Sequence, residues 1–306
     1  MRFGAFLPSF LSDYGASSVA VAVAEAARAA ADLGYEGVWV NDVVIMPAAN
    51  RKPDDVTHAV EPLVTLASLV HLAPRVTLGT AVLVLPQRHP VLVAKQTADL
   101  HLLSGGRLIL GVGIGHRPGE FALLGADYAR RAAATDEAIE ILRTLWREPV
   151  ADYQGRFHRL DGANMEPRPP GAGPPIWIGG NSAAAIRRAA RYGDGWLPMG
   201  LDVDGIRTGA AALRELTQGR PCPTVAHVLY LRIVRPDEPA ALRSTTSRMY
   251  KAFAGGADAV AEYLEEYRRA GLEYALCFFE SEDVDDLLRQ MRTFAERIAP
   301  RFADAA

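Results

Sequence analysis

Residues 76–116 read VTLGTAVLVLPQRHPVLVAKQTADLHLLSGGRLILGVGIGH, and this stretch decides the fold. Its first nine residues form an apolar run rich in β-branched side chains, which is typical of a strand buried on both faces of a parallel sheet. Pro90 suits the first position of a helix, where its missing N–H group removes no hydrogen bond. Gly105 and Gly106 favour the end of that helix, and a second apolar run begins at Leu108. The stretch therefore predicts one β-α-β unit.

Three glycines alternate at the end of the second strand of this unit. Gly111, Gly113 and Gly115 occupy every second position. Since successive side chains of a strand point to opposite faces, the alternation predicts one face without side chains. We expect the bare backbone there to let a flat ligand approach, with Gly113 among the residues that contact it.

Strand and helix patterns alternate along the rest of the chain. Eight segments are predicted to be strands: 2–7, 36–41, 76–84, 107–113, 175–179, 195–199, 224–234 and 273–279. Helical patterns lie between most of them, which predicts a parallel sheet, and eight strands favour closure into a barrel. The predicted fold class is therefore α/β, a (β/α)8 TIM barrel built from residues 1–306 as one domain. Long insertions are expected after strand two (42–60) and strand four (149–174, with a hairpin), and residues 235–257 form a third irregular segment.

Composition argues against several kinds of partner. The chain has 33 basic and 36 acidic residues, and this balance argues against nucleic acid. No apolar run reaches the roughly 18–20 residues that span a bilayer, and no signal-peptide pattern precedes the first strand, so we expect no membrane association. Cys222 and Cys277 lack the spacing of a metal site and are expected to be reduced thiols of a cytoplasmic protein. The histidines show no metal-binding motif, and no metal is expected.

Four stretches, taken together, resemble a known family. They are GYEGVWVND (34–42), TLGTAVLVLPQRHPVLVAKQTADLHLLSGGRLILGVGIG (77–115), TDEAIEILRTLW (135–146) and PPIWIGGNSAAAIRRAARYGDGWLP (174–198). In this order and spacing they resemble the bacterial luciferase-like monooxygenase family of flavin- and deazaflavin-dependent enzymes. Within it, the chain is most similar to the branch of F-420-dependent oxidoreductases. The resemblance implies an eight-stranded barrel, a homodimer, and a flavin or deazaflavin ring at the C-terminal end of the barrel.

A glycine turn is the candidate site for the cofactor phosphate. Gly179, Gly180, Asn181 and Ser182 follow a predicted strand and open a helix, where exposed N–H groups and the helix dipole favour an anion. The alternative is a tight turn in which asparagine or serine caps the helix. By our count of strands the turn follows strand five, whereas phosphate sites in such barrels are common after strands seven and eight.

The resemblance assigns a second part of the cofactor site to residues 80–82. Thr80, Ala81 and Val82 match the position where family members commonly carry a β-bulge with a non-proline cis peptide behind the cofactor ring. From the residues alone, the same segment also fits an ordinary buried strand.

The catalytic candidates are His116, Asp42 and Glu120. The family usually has Asp-His where this chain has Asp42 and Val43, and valine cannot donate, accept or titrate. His116 follows the glycines and can exchange a proton near neutral pH. Glu120 is a weaker acid candidate that also suits the start of a helix. The alternatives are structural, with Asp42 as a cap or salt-bridge partner and His116 as a surface residue.

The resemblance implies an oxidoreductase that transfers a hydride between the deazaflavin coenzyme F-420 and a small organic substrate. Ile114 occupies a position where FMN-dependent relatives often carry arginine, which favours F-420 over FMN. An FMN-dependent monooxygenase of the same fold is one alternative, and a non-catalytic relative that binds a flavin or another ligand is a second. The substrate is not indicated, since irregular loops are expected to shape its pocket.

Overall fold

Eight parallel strands close into a barrel in the computed structural model, which describes residues 1–9, 16–48, 59–235 and 252–303. The described strands are β1 (Arg2–Phe6), β2 (Gly37–Val40), β3 (Thr77–Thr80), β4 (Leu83–Val84), β5 (Leu108–Gly113), β6 (Ala151–Gln154), β7 (Arg159–Ala163), β8 (Ile176–Gly179), β9 (Gly195–Leu197), β10 (Thr224–Ile233), β11 (Phe253–Gly255) and β12 (Tyr274–Phe279). Around the barrel the order is β1, β2, β3, β5, β8, β9, β10 and β12, and β12 pairs with β1 again. Each predicted strand is found, and the predicted (β/α)8 barrel is confirmed.

Helices connect the barrel strands. Those in the described ranges are α1 (Ala16–Asp32), α2 (Pro62–Leu69), α3 (Pro90–Leu103), α4 (Pro118–Leu123), α5 (Arg131–Arg147), α6 (Ala183–Tyr192), α7 (Val203–Leu216), α8 (Ala257–Arg269) and α9 (Val284–Thr293). Four of them begin after a residue whose side chain accepts a hydrogen bond from the first turn: Glu61, Ser182, Asp202 and Asp283. Such caps satisfy N–H groups that have no partner inside the helix, and they fix where it starts.

Helix α7, between β9 and β10, lies in one of the intervals where the sequence pattern does not predict a helix. Its buried residues Ile206 and Ala210 have helical spacing, but Gly205 and Gly209 weaken the local helix signal. Packing explains one of these glycines, because a Cβ at Gly209 would overlap the indole ring of the buried Trp196. Packing against Trp196 therefore requires glycine at position 209, although glycine has a low helix propensity.

The third barrel strand is interrupted by a bulge. β3 pairs with β5 through Gly79 and Ile109, and β4 resumes the pairing through Leu83 and Val112. Leu83 is four residues after Gly79, whereas Val112 is three residues after Ile109. The third barrel strand thus contains one extra residue, which defines a β-bulge. The peptide bond that precedes Val82 is cis. The bulge and the non-proline cis peptide implied by the resemblance are therefore confirmed.

Large side chains fill the barrel interior. Trp39 and Trp177 stack with ring centroids 5.0 Å apart, and Tyr274 packs edge-on against both. The same interior cluster also contains Phe6, Leu197, Ala226, Val228 and Leu276. Val38 and Val40, which flank Trp39 in β2, instead belong to the core between sheet and helices. The described barrel interior is therefore a packed core, and barrels of this type bind their ligands at the C-terminal end of the strands.

The long segment between β5 and β8 contains a two-stranded hairpin. β6 and β7 pair antiparallel after α5, as predicted for residues 149–174. The buried Glu137 of α5 accepts the backbone N–H groups of Arg156, Phe157 and His158 at 2.6–3.0 Å. One helix side chain thus holds the turn of the hairpin.

Two other predicted irregular segments are only partly described. Residues 49–58, after strand two, and residues 236–251 lie outside the described residues. At the end of the second segment, Phe253–Gly255 forms β11 and pairs with β10, so the prediction of irregular structure over 235–257 is wrong there. The single domain over residues 1–306 stays a prediction. Within the described ranges, no helix combines the length and apolar character needed to cross a bilayer.

Candidate functional site

The C-terminal ends of the barrel strands meet at one end of the barrel, which we call the mouth. Asn41 follows β2, Val82 lies between β3 and β4, His116 follows β5 and Gly180 follows β8. Because all barrel strands run parallel, these positions lie on the same end, where barrels of this type place their active sites. The sequence-predicted candidates are therefore brought to one face of the molecule.

Asp42 is bound on both carboxylate oxygens. Its Oδ2 accepts hydrogen bonds from Arg88 Nη1 at 2.6 Å and from the Val84 backbone N–H at 2.8 Å, and its Oδ1 accepts Arg88 Nη2 at 2.9 Å. The Asp42 side chain has no exposed surface, and Arg88 also binds Glu61 at 3.0 Å. Burial alone would lower the pKa of Arg88, but the hydrogen bonds and charges of Asp42 and Glu61 raise it. The buried salt bridge of the structural alternative is therefore present, and the catalytic role of Asp42 stays a prediction.

The alternating glycines face the bulge rather than a ligand. A Cβ on Gly111 would overlap the backbone oxygen of Thr80, and a Cβ on Gly113 would lie 2.6 Å from Val82 Cγ2. The expectation that this face of β5 is bare for a ligand is therefore wrong, because the extra residue of the bulge fills the space. Thr80 is fully buried and its hydroxyl donates to the Gly111 carbonyl at 2.7 Å, so it supports the bulge from β5.

Ala81 and Val82 form the part of the bulge that reaches the mouth. Both are partly exposed and pack against the interior cluster of the barrel. Val82 also lies beside the neighbouring turn, since a Cβ added to Gly179 would lie 3.0 Å from Val82 Cγ1. An apolar surface and the glycine turn are thus adjacent at the mouth.

The glycine turn, residues 179–182, presents an exposed helix N-terminus. Gly180 has a φ of 119°, a conformation that side-chain-bearing residues rarely adopt, and residues 180–184 are exposed. The Gly180 carbonyl accepts the Trp196 indole N–H at 2.9 Å, and Ser182 caps α6 by accepting the Ala185 N–H at 3.2 Å. The predicted cap is therefore present. The first N–H groups of α6 also face solvent beside a residue without a Cβ, which suits a phosphate.

Asn181 holds the turn to the loop after β9. Its Nδ2 donates to the Met199 carbonyl at 2.7 Å, and its Oδ1 accepts the Met199 N–H at 3.1 Å. Both ends of the amide are thus used to fix the position of the backbone. Asn181 would serve a bound anion by orienting the turn.

His116 and Glu120 lie close to each other near the mouth. His116 is exposed, yet partial desolvation and the charge of Arg117 lower its pKa, while the charge of Glu120 opposes this shift. Glu120 is buried in the first turn of α4 and binds Arg117 at 2.9 Å and Gln87 at 3.3 Å. At pH 7 His116 is therefore mainly neutral, a form in which one ring nitrogen donates and the other accepts. The catalytic roles of both residues stay predictions.

Aromatic residues line the inner wall of the mouth. The ring centroid of Phe278 lies 5.6 Å from that of Phe6 and 4.9 Å from that of Tyr230. The Tyr230 hydroxyl donates to Met199 Sδ at 3.3 Å. The predictions did not include these residues, although their inward alternation along the strands would have indicated them. They make this wall of the mouth largely apolar.

Arg88 is the other residue absent from the predictions. It stands two residues before α3, and local sequence gives it no feature beyond a basic residue near a helix start. Its role depends on Asp42, 46 positions earlier. Elsewhere, the His, Cys, Asp and Glu side chains of the described residues form no group of three that would hold a metal ion.

Comparison with known proteins finds a matching family model and similar sequences. The family model described as luciferase-like monooxygenase matches residues 1–290. An F420-dependent hydroxymycolic acid dehydrogenase of Mycobacterium tuberculosis is 30% identical over 238 residues, which cover 76% of this chain and 63% of the relative.

Two solved structures share the fold over almost the whole chain. An F420-dependent secondary alcohol dehydrogenase in complex with an F420-acetone adduct has a TM-score of 0.81 and 19% identity, with 97% of this chain and 98% of the other covered. The monooxygenase RslO1 from Streptomyces bottropensis also has a TM-score of 0.81, with 23% identity and coverage of 99% and 100%. At these identities the likeness is one of fold.

Proposed function

Because the chain belongs to the luciferase-like monooxygenase family, we propose that it is an oxidoreductase that transfers a hydride between coenzyme F-420 and a small organic substrate. The observation that carries the proposal is the position of Val82 beside the glycine turn at the mouth. An apolar surface there adjoins an exposed helix N-terminus that suits an anion, and a deazaflavin nucleotide combines a flat ring with a phosphate.

The residues of the mouth would hold the two parts of this cofactor separately. The exposed N–H groups at the start of α6 would bind the phosphate, and the missing Cβ at Gly180 would let it approach the backbone. Ala81 and Val82 would support the ring, and the aromatic wall with Tyr230 and Phe278 would exclude water. When bound, the deazaflavin would supply two-electron hydride chemistry.

Proton transfer to or from the substrate oxygen is assigned to His116. Val43 cannot titrate, and the Asp42 carboxylate is occupied by Arg88 and Val84. His116 reaches solvent near the mouth, and its lowered pKa keeps it mainly in the neutral form at pH 7. The neutral imidazole would accept a proton from an alcohol, and the protonated minority would donate one to a ketone oxygen. Glu120 would tune that pKa through its charge.

An FMN-dependent monooxygenase is the alternative within the same fold. The solved monooxygenase and the solved dehydrogenase both share the fold with a TM-score of 0.81, so the fold favours neither function over the other. The F420 dependence of the 30% identical relative and the apolar Ile114 near the mouth favour F-420. A non-catalytic ligand-binding relative stays as a third possibility, which the same experiment tests.

We also propose that the protein is a cytoplasmic homodimer. Val64 of α2 and Leu92 of α3 are 70% and 56% exposed, and the two helices pack against each other. Apolar side chains this exposed on neighbouring helices would be covered by a second copy of the chain. Light scattering at micromolar concentration should give twice the monomer mass, and a monomer would contradict the proposal.

An anaerobic redox assay tests the proposed function. Purified protein is mixed with oxidised F-420 and a panel of secondary alcohols, and with reduced F-420 and the matching ketones, while the deazaflavin absorbance is followed. We expect at least one pair to react without oxygen. Turnover that needs FMN and consumes oxygen would favour the monooxygenase, and binding of cofactor without any turnover would favour the non-catalytic relative.

A further inference from the structure

His227 lies inside the molecule between two carbonyl groups of one loop. It belongs to β10 and is 1% exposed, with Nδ1 at 2.9 Å from the Pro198 oxygen and Nε2 at 3.1 Å from the Leu201 oxygen. A neutral imidazole carries only one N–H group, so it can donate to only one of these oxygens.

The neighbouring Tyr267 indicates which oxygen the imidazole serves. The Tyr267 hydroxyl donates to the Leu201 oxygen at 2.9 Å, and its ring stacks on His227 with centroids 5.7 Å apart. Leu201 thus has a donor of its own, which leaves the His227 N–H for Pro198. Burial lowers the pKa of His227 to about 4, so the ring is neutral at pH 7 and carries a single N–H group.

The loop that His227 holds is the one that binds the glycine turn. Residues 198–201 contain Met199, whose N–H and carbonyl groups both bind the Asn181 amide. Met199 also bridges to Val228, the residue after His227 in β10. A continuous set of hydrogen bonds therefore runs from β10, through the loop after β9, to the start of α6.

We propose that His227 is a positioning residue that sets the geometry of residues 179–182 and thereby the affinity of the protein for the phosphate of its cofactor. The inference rests on the proposed function, because it takes these residues as the phosphate site. His227 itself touches neither phosphate nor ring, and it acts through Pro198, Met199 and Asn181 in turn. The ring surface at Val82 belongs to the bulge between β3 and β4, and the hydrogen bonds that run from His227 to Asn181 do not include it, so we expect its contribution to change little.

The test compares each cofactor with its phosphate-free form. Dissociation constants are measured by fluorescence for F-420 and its phosphate-free deazaflavin nucleoside, and for FMN and riboflavin. The ratio for FMN and riboflavin isolates the phosphate contribution, and the ratio for F-420 also includes the acidic tail that its phosphate carries. In His227→Leu we expect the ratio to fall by about 3- to 10-fold, the effect of one lost hydrogen bond. Affinity for the phosphate-free form should stay within about twofold of the wild-type value.

Two further variants separate positioning from general stability. His227→Asn keeps a side-chain N–H near the position of Nδ1 and should restore most of the ratio. Tyr267→Phe removes the hydroxyl bound to Leu201 but keeps the ring, and should lower the ratio less than His227→Leu does. Thr97→Val is the control, since Thr97 is fully buried in α3 and its hydroxyl donates to Val93 at 2.6 Å, away from the mouth.

Each outcome bears on a different statement. Wild-type protein that binds both forms equally contradicts the phosphate site of the proposed function, and the inference fails with it. A wild-type preference for the phosphorylated form that survives in His227→Leu and Tyr267→Phe contradicts only the role of His227. If His227→Leu does not fold, an unchanged ratio in Tyr267→Phe overturns the inference, and a lowered ratio that Thr97→Val does not share supports it.

Discussion

Arg88 and Asp42 form a bidentate ion pair that joins the end of β2 to the segment after the bulge. Arg88 Nη1 and Nη2 bind the two carboxylate oxygens at 2.6 and 2.9 Å, and the same carboxylate accepts the Val84 N–H. The pair lies directly beside the mouth, with the Arg88 side chain 14% exposed. Asp42 therefore fixes the position of the bulge relative to β2.

Asp42→Asn should destabilise the fold strongly. Removing one charge of a buried pair leaves Arg88 without its main partner, and such changes typically cost about 3–5 kcal/mol. The matched control is Glu36→Gln, because the Arg2–Glu36 pair is exposed and should contribute about 1 kcal/mol or less. Urea denaturation measures both free energies of unfolding. An equal loss of unfolding free energy in the two variants would contradict the larger contribution that we assign to the buried Asp42–Arg88 pair.

Gly180→Ala should weaken cofactor binding by about 10-fold or more in a protein that still folds. The φ of 119° disfavours a side chain, and the added Cβ would lie 3.0 Å from Ala185 Cβ, at the start of α6. Gly34→Ala is the control, since Gly34 also has a positive φ, of 79°, but has no atom within 4 Å of the added Cβ. Both variants should lose stability, as thermal unfolding will show, and only Gly180→Ala should lose affinity for F-420. A parallel loss of affinity in both would argue against the turn as a phosphate site.

The pKa of His116 should respond to its two charged neighbours in opposite directions. Glu120→Gln removes a negative charge that raises this pKa and should lower it further, whereas Arg117→Gln should raise it. NMR titration of the His116 ring protons follows each change. Shifts in the same direction for both variants would contradict the placement of His116 between the two charges.

His116→Ala should lower the rate of hydride transfer by roughly 10²-fold if His116 handles the proton. The rate is measured in single turnovers with the substrate that the anaerobic screen identifies, so that product release does not mask it. When His116 accepts the proton, the acidic limb of the wild-type pH profile reports its lowered pKa, and this limb should disappear in the variant. An unchanged rate would reduce His116 to a surface residue.

Acid should destabilise the wild-type protein through His227. Its pKa in the folded state is about 4, below the usual value of 6.5, so the unfolded chain binds more protons between these values. The contribution of neutral His227 to the free energy of unfolding is therefore fully present above pH 6.5. This contribution is lost as the pH falls to 4, at up to about 1.4 kcal/mol per pH unit. His227→Asn should show a shallower decline over this window in urea denaturation. Parallel curves would mean that His227 is protonated in the folded protein.

The sequence predicts the barrel well because each strand is a short apolar run between helices of clear periodicity. Residues 76–84 and 107–113 carry that signal, and the structure differs only where one extra residue makes the bulge. Local pattern does not show what a glycine faces. Gly111 and Gly113 are required by Thr80 and Val82, which lie about 30 positions earlier, so their alternation suggested an open face that the fold fills.

The site is less predictable because its bonds join distant parts of the chain. Asp42 and Arg88 are 46 positions apart, and His227 and Pro198 are 29 apart. Neither pair has a spacing that distinguishes it from an unrelated acid, base or carbonyl. The glycine turn was predictable, since its signal lies within four consecutive residues that follow a strand and begin a helix.

The central claim is that the mouth binds a deazaflavin nucleotide, and fluorescence titration of the purified protein with F-420 and with FMN tests it most directly. We expect saturable binding of F-420 with a dissociation constant lower than that for FMN. Saturable binding of FMN, with no binding of F-420 over the same concentration range, would contradict the account.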